Sequence, residues 1–373
     1  MLAKRGPARS TDVTSAPDET RLAKGGGLGD AGGYGRGWDI MRKVLITGTA
    51  GFIGFHLARL LLDEGFLVQG FDGMSDYYDV ALKQRRHQIL LQHPNFTTLE
   101  ARLEDSAALD GIADSFQPEV IVHLAAQAGV RYSLEQPRDY IDSNIIGTFN
   151  VMEVARRLQV SHLLMASTSS VYGANAAMPF VETDKADSQL TIYAATKKAT
   201  ESMGHAYAHL WGIPTTMFRF FTVYGPWGRP DMALYRFVDA ILHDRPIDIY
   251  NHGEMYRDFT YVTDLVRAIR LLIDAVPVIG HPVEGDSLSV AAPWRVVNIG
   301  NSDKVKLLDF VDAIEVATGR KAKRNYMDMQ QGDVPATWAD ANLLRSLTGY
   351  SPQTDVKDGI AAFVAWYRQY YDV

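Results

Sequence analysis

Cysteine is absent from the 373-residue sequence. This absence excludes a disulfide scaffold, a cysteine-ligated zinc or iron–sulfur site, and a thiol nucleophile. The sequence also lacks any apolar run of the ~18 residues that a membrane-spanning helix requires. No apolar segment follows the early basic residues, so we expect no secretory signal in the first 40 residues. Any covalent chemistry must therefore use side chains other than thiols.

An excess of positive charge is also lacking, since 37 lysines and arginines face 44 aspartates and glutamates and the net charge is -7. A chain this acidic is a poor general binder of nucleic acid or of an anionic membrane. We therefore expect no nucleic-acid partner and no membrane partner, and we expect a cytoplasmic protein. An anionic ligand has to be bound by a few placed arginines, because the overall charge repels it.

The first 40 residues differ in composition from the rest of the chain. Eight glycines occur among the thirteen residues from Gly25 to Gly37. Such a segment loses much backbone entropy on ordering and buries little apolar surface. We therefore predict a disordered, Gly-rich extension over residues 1–40. Two origins stay open: a translation start upstream of the natural one at Met41, or a regulatory tail.

From Met41 onward, short apolar strands alternate with amphipathic helical stretches. The sequence predicts strands at 43–46, 67–71, 120–124, 163–166, 215–220, 247–250 and 296–299. It predicts helices at about 52–64, 79–92, 139–158, 191–211, 231–243, 263–276, 307–318, 340–347 and 356–370. Alternation of this kind, with near-continuous apolar strands, predicts an α/β fold with a Rossmann-type doubly wound parallel sheet.

The regular alternation of strands and helices weakens after Pro214, and we place a domain boundary there. We expect a Rossmann domain over residues 41–214 and a smaller, mostly C-terminal α/β lobe over 215–373. Segments near 255–270 and 294–300 are expected to return to the first domain. In such a fold, ligands bind outside the carboxyl ends of the sheet strands.

Three glycines, Gly48, Gly51 and Gly54, occupy the turn between the first strand and the first helix. Glycine lets the backbone approach a pyrophosphate, and the helix N-terminus supplies free N–H groups. The triplet alone is weak evidence, because packing turns often produce such spacings. Asp72, at the end of the second strand, would bind ribose hydroxyls and repel a 2′-phosphate, which favours NAD over NADP. The alternative is that Asp72 only caps a helix or turn.

Tyr193 and Lys197 lie four residues apart in a predicted helix, which puts both side chains on one face. An ammonium beside a phenol lowers the tyrosine pKa from about 10 and gives a general base near neutral pH. By itself this spacing is a common accident. Thr168, Ser169 and Ser170 add weight, because hydroxyls just past the end of a parallel strand face the ligand crevice. An ordinary serine-rich loop is the alternative.

The chain resembles the extended short-chain dehydrogenase/reductase family. The resemblance lies in the order of four features: the glycine turn, the acidic strand end, the hydroxyl loop and the tyrosine–lysine pair. Within this family, the chain resembles nucleotide-sugar epimerases, in particular the UDP-glucuronate 4-epimerases. The resemblance covers residues 41–373, and the matching stretches are 45–54, 123–132, 193–197, 219–232, 257–262, 295–300 and 332–340. The stretch 219–232 is the most specific of these.

The resemblance implies catalytic roles for Thr168, Tyr193 and Lys197, with NAD as the cofactor. The implied cofactor-binding residues are Gly48, Gly51, Phe52, Ile53, Gly54, Asp72, Leu103, Leu124, Ala125, Ala126, Tyr193 and Lys197. The implied substrate-binding residues are Ser169, Ser170, Asn144, Thr222, Arg229, Tyr250, Arg257 and Asp333. No metal site is expected. Arg102 departs from the family, where an aspartate often meets adenine, so an altered adenine contact is expected there.

The implied reaction is NAD-dependent 4-epimerisation of UDP-glucuronate to UDP-galacturonate through a 4-keto sugar. Arg229 is expected to bind the substrate carboxylate; a loop arginine that contacts phosphate or solvent is the alternative. Thr222 and Arg229 disfavour the nearest rival, a 4-epimerase of a neutral UDP-hexose. Ser169 and Ser170 stand where 4,6-dehydratases and UDP-glucuronate decarboxylases carry acids, so both activities rank lower. A non-catalytic NAD-binding protein ranks last, because Tyr193 and Lys197 are both present.

The predicted helices 139–158 and 191–211 carry more apolar surface than one face of a sheet covers. In the family that the chain resembles, the equivalent helices form a two-fold, four-helix interface. The resemblance therefore implies a homodimer.

Overall fold

The centre of the fold is a seven-stranded, wholly parallel β-sheet. The structure is a computed structural model that describes residues 41–330 and 332–373, and the extension predicted for residues 1–40 lies outside the described residues. The strands, in chain order, are β1 Lys43–Thr47, β2 Leu67–Asp72, β3 Phe96–Glu100, β4 Val120–His123, β5 His162–Thr168, β6 Thr215–Phe220, β7 Thr222–Tyr224, β8 Pro246–Ile249, β9 Tyr256–Arg257, β10 Phe259–Tyr261, β11 Trp294–Ile299, β12 Val305–Lys306, β13 Lys323–Tyr326 and β14 Ala336–Thr337.

Helices connect most of the strands. They are α1 Phe52–Asp63, α2 Val80–Leu90, α3 Ser106–Phe116, α4 Tyr132–Glu135, α5 Pro137–Tyr140, α6 Thr148–Leu158, α7 Ile192–Trp211, α8 Ala233–Leu242, α9 Val262–Asp274, α10 Leu307–Thr318, α11 Asn342–Thr348 and α12 Val356–Tyr371. A π-helical segment, Ile141–Gly147, joins α5 to α6, so the single helix predicted over 139–158 is interrupted. None of the helices in the described part of the chain is long and apolar enough to cross a bilayer.

The sheet order is β3-β2-β1-β4-β5-β6-β11, and every neighbouring pair is parallel. Strand order reverses between β1 and β4, which places a ligand crevice at their carboxyl ends. Both faces of the sheet are covered: Val44 and Ile46 pack with α1 and α9, whereas Leu45 packs with α3, α6 and α7. The predicted α/β class and doubly wound parallel sheet are confirmed.

The division predicted at residue 214 cuts through this sheet. β6, which the sequence analysis assigned to the second lobe, pairs with β5 along its whole length. β11 then returns to pair with β6, and α9 packs against α1. Pro214 marks only the loop between α7 and β6, because a parallel strand must be reached by a crossover connection.

A second hydrophobic core joins α8, α10 and α12 with β8 and β10. Phe259 and Phe310 stack within it, with ring centroids 4.0 Å apart. Trp227, in the loop after β7, packs against both this core and the core of the sheet. The loop between β7 and α8 is therefore fixed between the sheet and the C-terminal helices.

Candidate active site

A cavity of about 1420 Å³ opens at the carboxyl ends of the sheet strands. Every site residue predicted from the sequence lines it except Asn144. Its walls come from the turn after β1, the ends of β2, β4 and β5, the start of α7, and the segments around β7 to β9 and before β14. Within the described residues, no group of three or more histidine, aspartate or glutamate side chains is arranged to hold a metal ion.

The turn between β1 and α1 leaves no room for side chains. Gly48 has a φ of +84°, and a Cβ there would lie 2.8 Å from the backbone nitrogen of Ala125. A Cβ on Gly54 would lie 2.0 Å from the Gly48 carbonyl oxygen, so the first turn of α1 packs directly on the loop. Phe52 and Ile53, at the start of α1, line the cavity. A helix N-terminus in this position suits a phosphate group.

Asp72 ends β2 at the wall of the cavity and is almost fully buried. Its Oδ2 accepts a hydrogen bond from the backbone nitrogen of Ala50 at 2.8 Å, and its Oδ1 accepts one from Met74 at 2.8 Å. Asp72 therefore fixes the glycine loop and caps a turn, as the alternative interpretation required. Each carboxylate oxygen can accept more than one hydrogen bond, so the turn and ribose binding are compatible.

Arg102 and Leu103 lie on the same side of the cavity as Asp72. Arg102 approaches Gly73, the residue after Asp72, and its Nη2 donates to Glu104 Oε1 at 2.9 Å. This hydrogen bond raises the pKa of Arg102. Leu103 is buried, and its carbonyl accepts from Asn150 Nδ2 at 2.8 Å. The Arg102 guanidinium is thus partly neutralised by a neighbour.

A buried chain of hydrogen bonds, which the sequence analysis missed, positions the backbone after β4. Thr47 Oγ1 bonds His123 Nδ1 at 2.7 Å, and His123 Nε2 bonds Thr148 Oγ1 at 2.9 Å. The backbone nitrogens of Leu124 and Ala125 donate to Thr47 Oγ1 at 3.2 and 3.1 Å. Burial lowers the pKa of His123 to about 3, so its ring is neutral. The sequence signal was a histidine at the end of an otherwise apolar strand.

Tyr193 and Lys197 line the cavity from the first turns of α7. Lys197 is buried and its Nζ donates to the Ala166 carbonyl at 2.9 Å; burial lowers its pKa to about 8. Burial raises the pKa of the Tyr193 phenol, whereas a hydrogen bond with Thr168 and the charge of Arg229 lower it. Lys197 is not among the groups that lower the pKa of Tyr193 in this structure, and its ammonium donates to the end of β5.

The hydroxyl loop follows β5 directly and forms a short 3₁₀ turn over Ser169–Tyr172. Thr168 Oγ1 accepts from the backbone nitrogen of Ser170 at 3.2 Å, which caps this turn. Ser169 and Ser170 are partly exposed and line the cavity. The loop therefore presents hydroxyl groups, and no carboxyl group, at the positions next to Thr168.

Behind the hydroxyl loop lies a buried ion pair that the sequence analysis also missed. Glu201 on α7 accepts from Arg219 Nε at 2.9 Å and from Arg219 Nη2 at 2.8 Å. Ser167 Oγ donates to Glu201 Oε1 at 2.6 Å. These bonds tie α7 to β5 and β6, and so fix Tyr193 relative to Thr168. No local pattern identifies the pair, because Glu201 and Arg219 come from two separate elements, α7 and β6.

Thr222 begins β7, and Arg229 follows in the loop that leads to α8. Arg229 Nε donates to Asp231 Oδ1 at 3.0 Å, and its Nη2 donates to Asp231 Oδ2 at 2.5 Å. The Tyr77 hydroxyl donates to Asp231 Oδ2 at 3.2 Å. Asp231 therefore uses two of the five guanidinium N–H groups of Arg229. Neither Asp231 nor Tyr77 was predicted from the sequence as a site residue.

Tyr250, Arg257 and Asp333 line the part of the cavity that β8, β9 and the segment before β14 form. Arg257 Nη2 donates to Asp333 Oδ1 at 2.7 Å. Burial lowers the pKa of Arg257, and Asp333 opposes this shift. The guanidinium carbon of Arg131 lies 4.8 Å from the Tyr250 ring centroid, a cation–π contact that the sequence analysis did not identify.

Asn144 is fully buried in the π-helical segment and does not line the cavity. Its Oδ1 accepts from the backbone nitrogen of Gln127 at 2.8 Å. Its Nδ2 donates to the Gln127 carbonyl at 3.0 Å and to Thr196 Oγ1 at 3.1 Å. The substrate contact expected of Asn144 is therefore not what this structure shows. Both amide protons are used to hold residue 127 against α7.

Known proteins match most of this chain in sequence. Residues 44–284 match the NAD dependent epimerase/dehydratase family. The chain is 57% identical over 333 residues to a probable UDP-glucuronate 4-epimerase of Rhizobium meliloti (strain 1021), covering 88% of this chain and 98% of that protein. It is 42% identical over 335 residues to UDP-glucuronate 4-epimerase 1 of Arabidopsis thaliana, covering 88% of this chain and 77% of that protein.

A solved structure shares this fold. UDP-glucuronic acid 4-epimerase from Bacillus cereus, in complex with UDP-glucuronic acid and NAD, superposes with a TM-score of 0.79. The two chains are 31% identical, and the match covers 88% of this chain and 100% of that one. The glycine turn, the parallel sheet and the sequence match agree: the chain belongs to the NAD dependent epimerase/dehydratase family.

Proposed function

We propose that the protein interconverts UDP-glucuronate and UDP-galacturonate by NAD-dependent epimerisation at C4 of the sugar. The observation that carries this proposal is the convergence of Tyr193, Thr168 and Arg229 in one cavity, where Thr168 and Arg229 both act on the pKa of the phenol. A base, a hydroxyl partner and a cation for the carboxylate are the groups that the reaction requires. The names of the relatives support the same substrate.

The residues around the glycine turn fit NAD. A Cβ on Gly48 would meet the backbone of Ala125 and one on Gly54 would meet the Gly48 carbonyl, so only glycine allows the tight loop that a pyrophosphate would approach, and Asp72 suits the ribose hydroxyls. We assign Arg102 and Leu103 to the adenine side, and residues 124–126 to the wall beside the dinucleotide. When bound there, NAD supplies the hydride acceptor and donor for C4.

Tyr193 takes the proton of the C4 hydroxyl and returns it at the end of the reaction. Burial raises the pKa of this phenol, and the hydrogen bond with Thr168 and the charge of Arg229 act in the direction that a base needs. Lys197 adds a positive charge at the same cavity wall. Burial lowers its pKa to about 8, so it stays largely protonated at neutral pH.

The acid substrate creates a second requirement. Oxidation at C4 turns the sugar acid into a β-keto acid, which loses CO₂ when the breaking C–C bond aligns with the carbonyl π system. Asp231 fixes the plane of the Arg229 guanidinium, so the remaining N–H groups hold the carboxylate in a set plane. We assign the hydroxyls of Thr168, Ser169 and Thr222 to the same clamp.

We assign the UDP moiety to the part of the cavity formed by Tyr250, Arg257 and Asp333, next to the second hydrophobic core. Arg257 carries the charge for the diphosphate and Tyr250 flanks the uracil. Most of the binding energy must come from UDP, because the sugar has to turn over between the two steps at C4. Arg229 and Arg257 offset the repulsion that a net charge of -7 would otherwise exert on an anionic substrate.

We also propose a homodimer, located in the cytoplasm. Ile146 and Phe149 near the start of α6, and Leu210 and Trp211 at the end of α7, are all exposed. Exposed apolar side chains on two neighbouring helices are typical of an interaction surface. Two copies that cover these helices with each other would form a four-helix, two-fold interface. Light scattering of the protein as it elutes from a size-exclusion column tests the proposed homodimer. The mass of two chains supports a homodimer, and the mass of one chain contradicts it.

Product analysis tests the proposed reaction. Purified protein is incubated with UDP-glucuronate and NAD⁺, and the products are followed by NMR, with Tyr193→Phe as the matched control. The proposal predicts a near-equal mixture of UDP-glucuronate and UDP-galacturonate with the wild type and none of the product with the variant. A UDP-pentose as the main product, or brisk epimerisation of UDP-glucose without turnover of the acid, would overturn it.

A further inference from the structure

Arg86 on α2 is a fully buried arginine that joins two loops of the cavity. Its Nη1 donates to the carbonyl of Ala50, in the glycine turn, at 2.8 Å. Its Nη2 donates to the carbonyl of Trp227 at 2.6 Å and to that of Gly228 at 3.4 Å. Ala50 lies beside the expected pyrophosphate site, and Gly228 immediately precedes Arg229. One side chain therefore contacts both the cofactor loop and the loop of the carboxylate clamp.

Stability alone is a poor explanation for this arginine. Among the described residues, no carboxylate lies within ion-pair distance of Arg86, and its Nε has no hydrogen-bond partner. A buried charge without a counter-charge is costly, and a charge retained at such a site indicates a positional requirement. Nη1 also donates to the Tyr78 hydroxyl at 2.9 Å. The other hydrogen bonds go to backbone carbonyls and define that requirement, because they hold the main chain of the two loops whatever side chains those loops carry.

The loop that carries Arg229, residues 225–232, needs its neighbours to hold its backbone in place. Gly225 has a φ of +139° and Trp227 has a φ of +60°, so the loop contains a non-glycine residue in the left-handed region. Such backbone persists only where its surroundings hold it. Arg86 binds the carbonyl of Trp227, and the Trp227 ring packs edge-on against Phe55 with centroids 5.5 Å apart. The loop is thus pinned to α1 and α2, which flank the glycine turn.

A second side chain holds the same loop. His56 on α1 donates from Nε2 to the Pro226 carbonyl at 2.9 Å. Burial lowers the pKa of His56 to about 4, so the ring is neutral and its Nε2 carries the proton that the carbonyl accepts. The carbonyls of Pro226, Trp227 and Gly228 therefore all accept hydrogen bonds from helices that pack beside the cofactor loop.

We propose that Arg86 is a positioning residue that fixes the Arg229 loop relative to the glycine turn, and thereby sets how the substrate carboxylate is held during the reaction at C4. His56 is the second anchor of the same loop. The inference rests on the proposed function, since it concerns the acid substrate. Displacing the loop lets the carboxylate leave its set plane, so that CO₂ loss from the 4-keto sugar competes with epimerisation.

Arg86→Lys tests this inference in the full-length protein, with Arg85→Lys as the matched control. Arg85 is the neighbouring arginine on α2, but it is exposed, and its Nη1 donates to Gln88 Oε1 at 3.5 Å. Lysine keeps the charge but does not bridge three carbonyls. We expect Arg86→Lys to lower kcat/KM for UDP-glucuronate about 10- to 100-fold, mainly through KM, and to raise the fraction of UDP-pentose in the product. Arg85→Lys should match the wild type in both.

A second pair keeps the inference testable if Arg86→Lys fails to fold or to retain NAD. His56→Leu removes the hydrogen bond to Pro226, and His56→Gln keeps a donor at the same place. We expect His56→Leu to raise the UDP-pentose fraction and His56→Gln to restore the wild-type value. A merely structural role would lower thermal stability without changing the product ratio.

The outcomes separate the two claims. The inference is overturned, and the proposed function left intact, if folded Arg86→Lys has the wild-type product ratio and an unchanged KM. If Arg86→Lys fails to fold, the same result in His56→Leu overturns it. No UDP-galacturonate from the wild type would instead overturn the proposed function. A raised UDP-pentose fraction in the variants, with wild-type behaviour of Arg85→Lys, supports the assignment of Arg86.

Discussion

Arg229 and Asp231 form a two-point ion pair in the wall of the cavity, with N–O distances of 3.0 and 2.5 Å. Burial raises the pKa of Asp231, but the charge and hydrogen bonds of Arg229 outweigh this and hold the pKa below its usual value. The pair is therefore ionised at neutral pH. Its consequence is that the Arg229 guanidinium has one fixed plane before any substrate arrives.

Replacing Asp231 tests the value of that fixed plane. Asp231→Asn keeps the shape and removes the charge, so the guanidinium of Arg229 loses its orientation. We expect kcat/KM for UDP-glucuronate to fall about 10-fold and the UDP-pentose fraction to rise, as measured by NMR of the product mixture. Asp303→Asn is the control, because Asp303 is an exposed aspartate outside the cavity lining. An unchanged product ratio in Asp231→Asn would contradict the role assigned to the pair.

Removing Arg229 should discriminate between acid and neutral ligands. Loss of a charge-assisted contact predicts that Arg229→Ala weakens UDP-glucuronate binding about 10- to 100-fold. UDP-glucose lacks the carboxylate, so its dissociation constant should change little. Calorimetric titration of both ligands into the NAD-loaded Tyr193→Phe background measures binding without turnover. Equal losses for the two ligands would reject Arg229 as the carboxylate clamp.

Adding a side chain to the glycine turn should prevent NAD binding, whereas the same change at a glycine elsewhere should not. A Cβ on Gly54 would lie 2.0 Å from the Gly48 carbonyl oxygen, whereas a Cβ on Gly111 in α3 meets nothing within 4 Å. We therefore expect Gly54→Ala to be purified without NAD, and Gly111→Ala to retain it and to be at least as stable as the wild type. The nucleotide released by acid precipitation gives the measurement. Full NAD content in folded Gly54→Ala would refute the assignment of this turn.

Glu182 predicts a pH-dependent stability difference. It is buried, its Oε1 accepts from the backbone nitrogen of Asn298 at 2.8 Å, and burial raises its pKa to about 7. The folded state therefore holds a proton that the unfolded state releases near pH 4.5, so stability falls as the pH rises from about 4.5 to 7. Glu182→Gln keeps the acceptor and removes this loss.

Denaturation at two pH values measures the effect of Glu182→Gln. The variant should match the wild type near pH 4.5 and exceed its free energy of unfolding by up to ~3 kcal/mol at pH 8, the value that the pKa shift allows. Equal stabilities at pH 8 would mean that the Glu182 carboxyl titrates normally in the folded protein.

The sequence predicted the parts of the site that local spacing defines. The glycine turn, Asp72 at the end of β2 and the Tyr193–Lys197 pair each depend on neighbours within one βα unit or one helix, and all of them line the cavity. The strand β3 was missed, because its residues are only partly buried and give no continuous apolar run. The pairing of β6 with β5 was not predicted, because a loop before an inner strand has the same composition as a domain linker.

The remaining parts of the site depend on contacts between distant segments. Arg86 meets Trp227 across 141 residues, and Glu201 meets Arg219 only because α7 packs against β5 and β6. A buried arginine on α2 looks like a surface arginine in the sequence, since Arg85 stands beside it. Only the packed fold shows which of the two enters the core.

The most direct test of the account follows the hydrogen at C4. Wild-type protein with bound NAD is incubated in ordinary water with UDP-glucuronate that carries deuterium at C4. Oxidation and reduction of the same carbon within one cavity predict UDP-galacturonate that retains the deuterium at C4, as read by NMR and mass spectrometry. Loss of the deuterium to solvent, or a product with unchanged configuration at C4, would contradict the account.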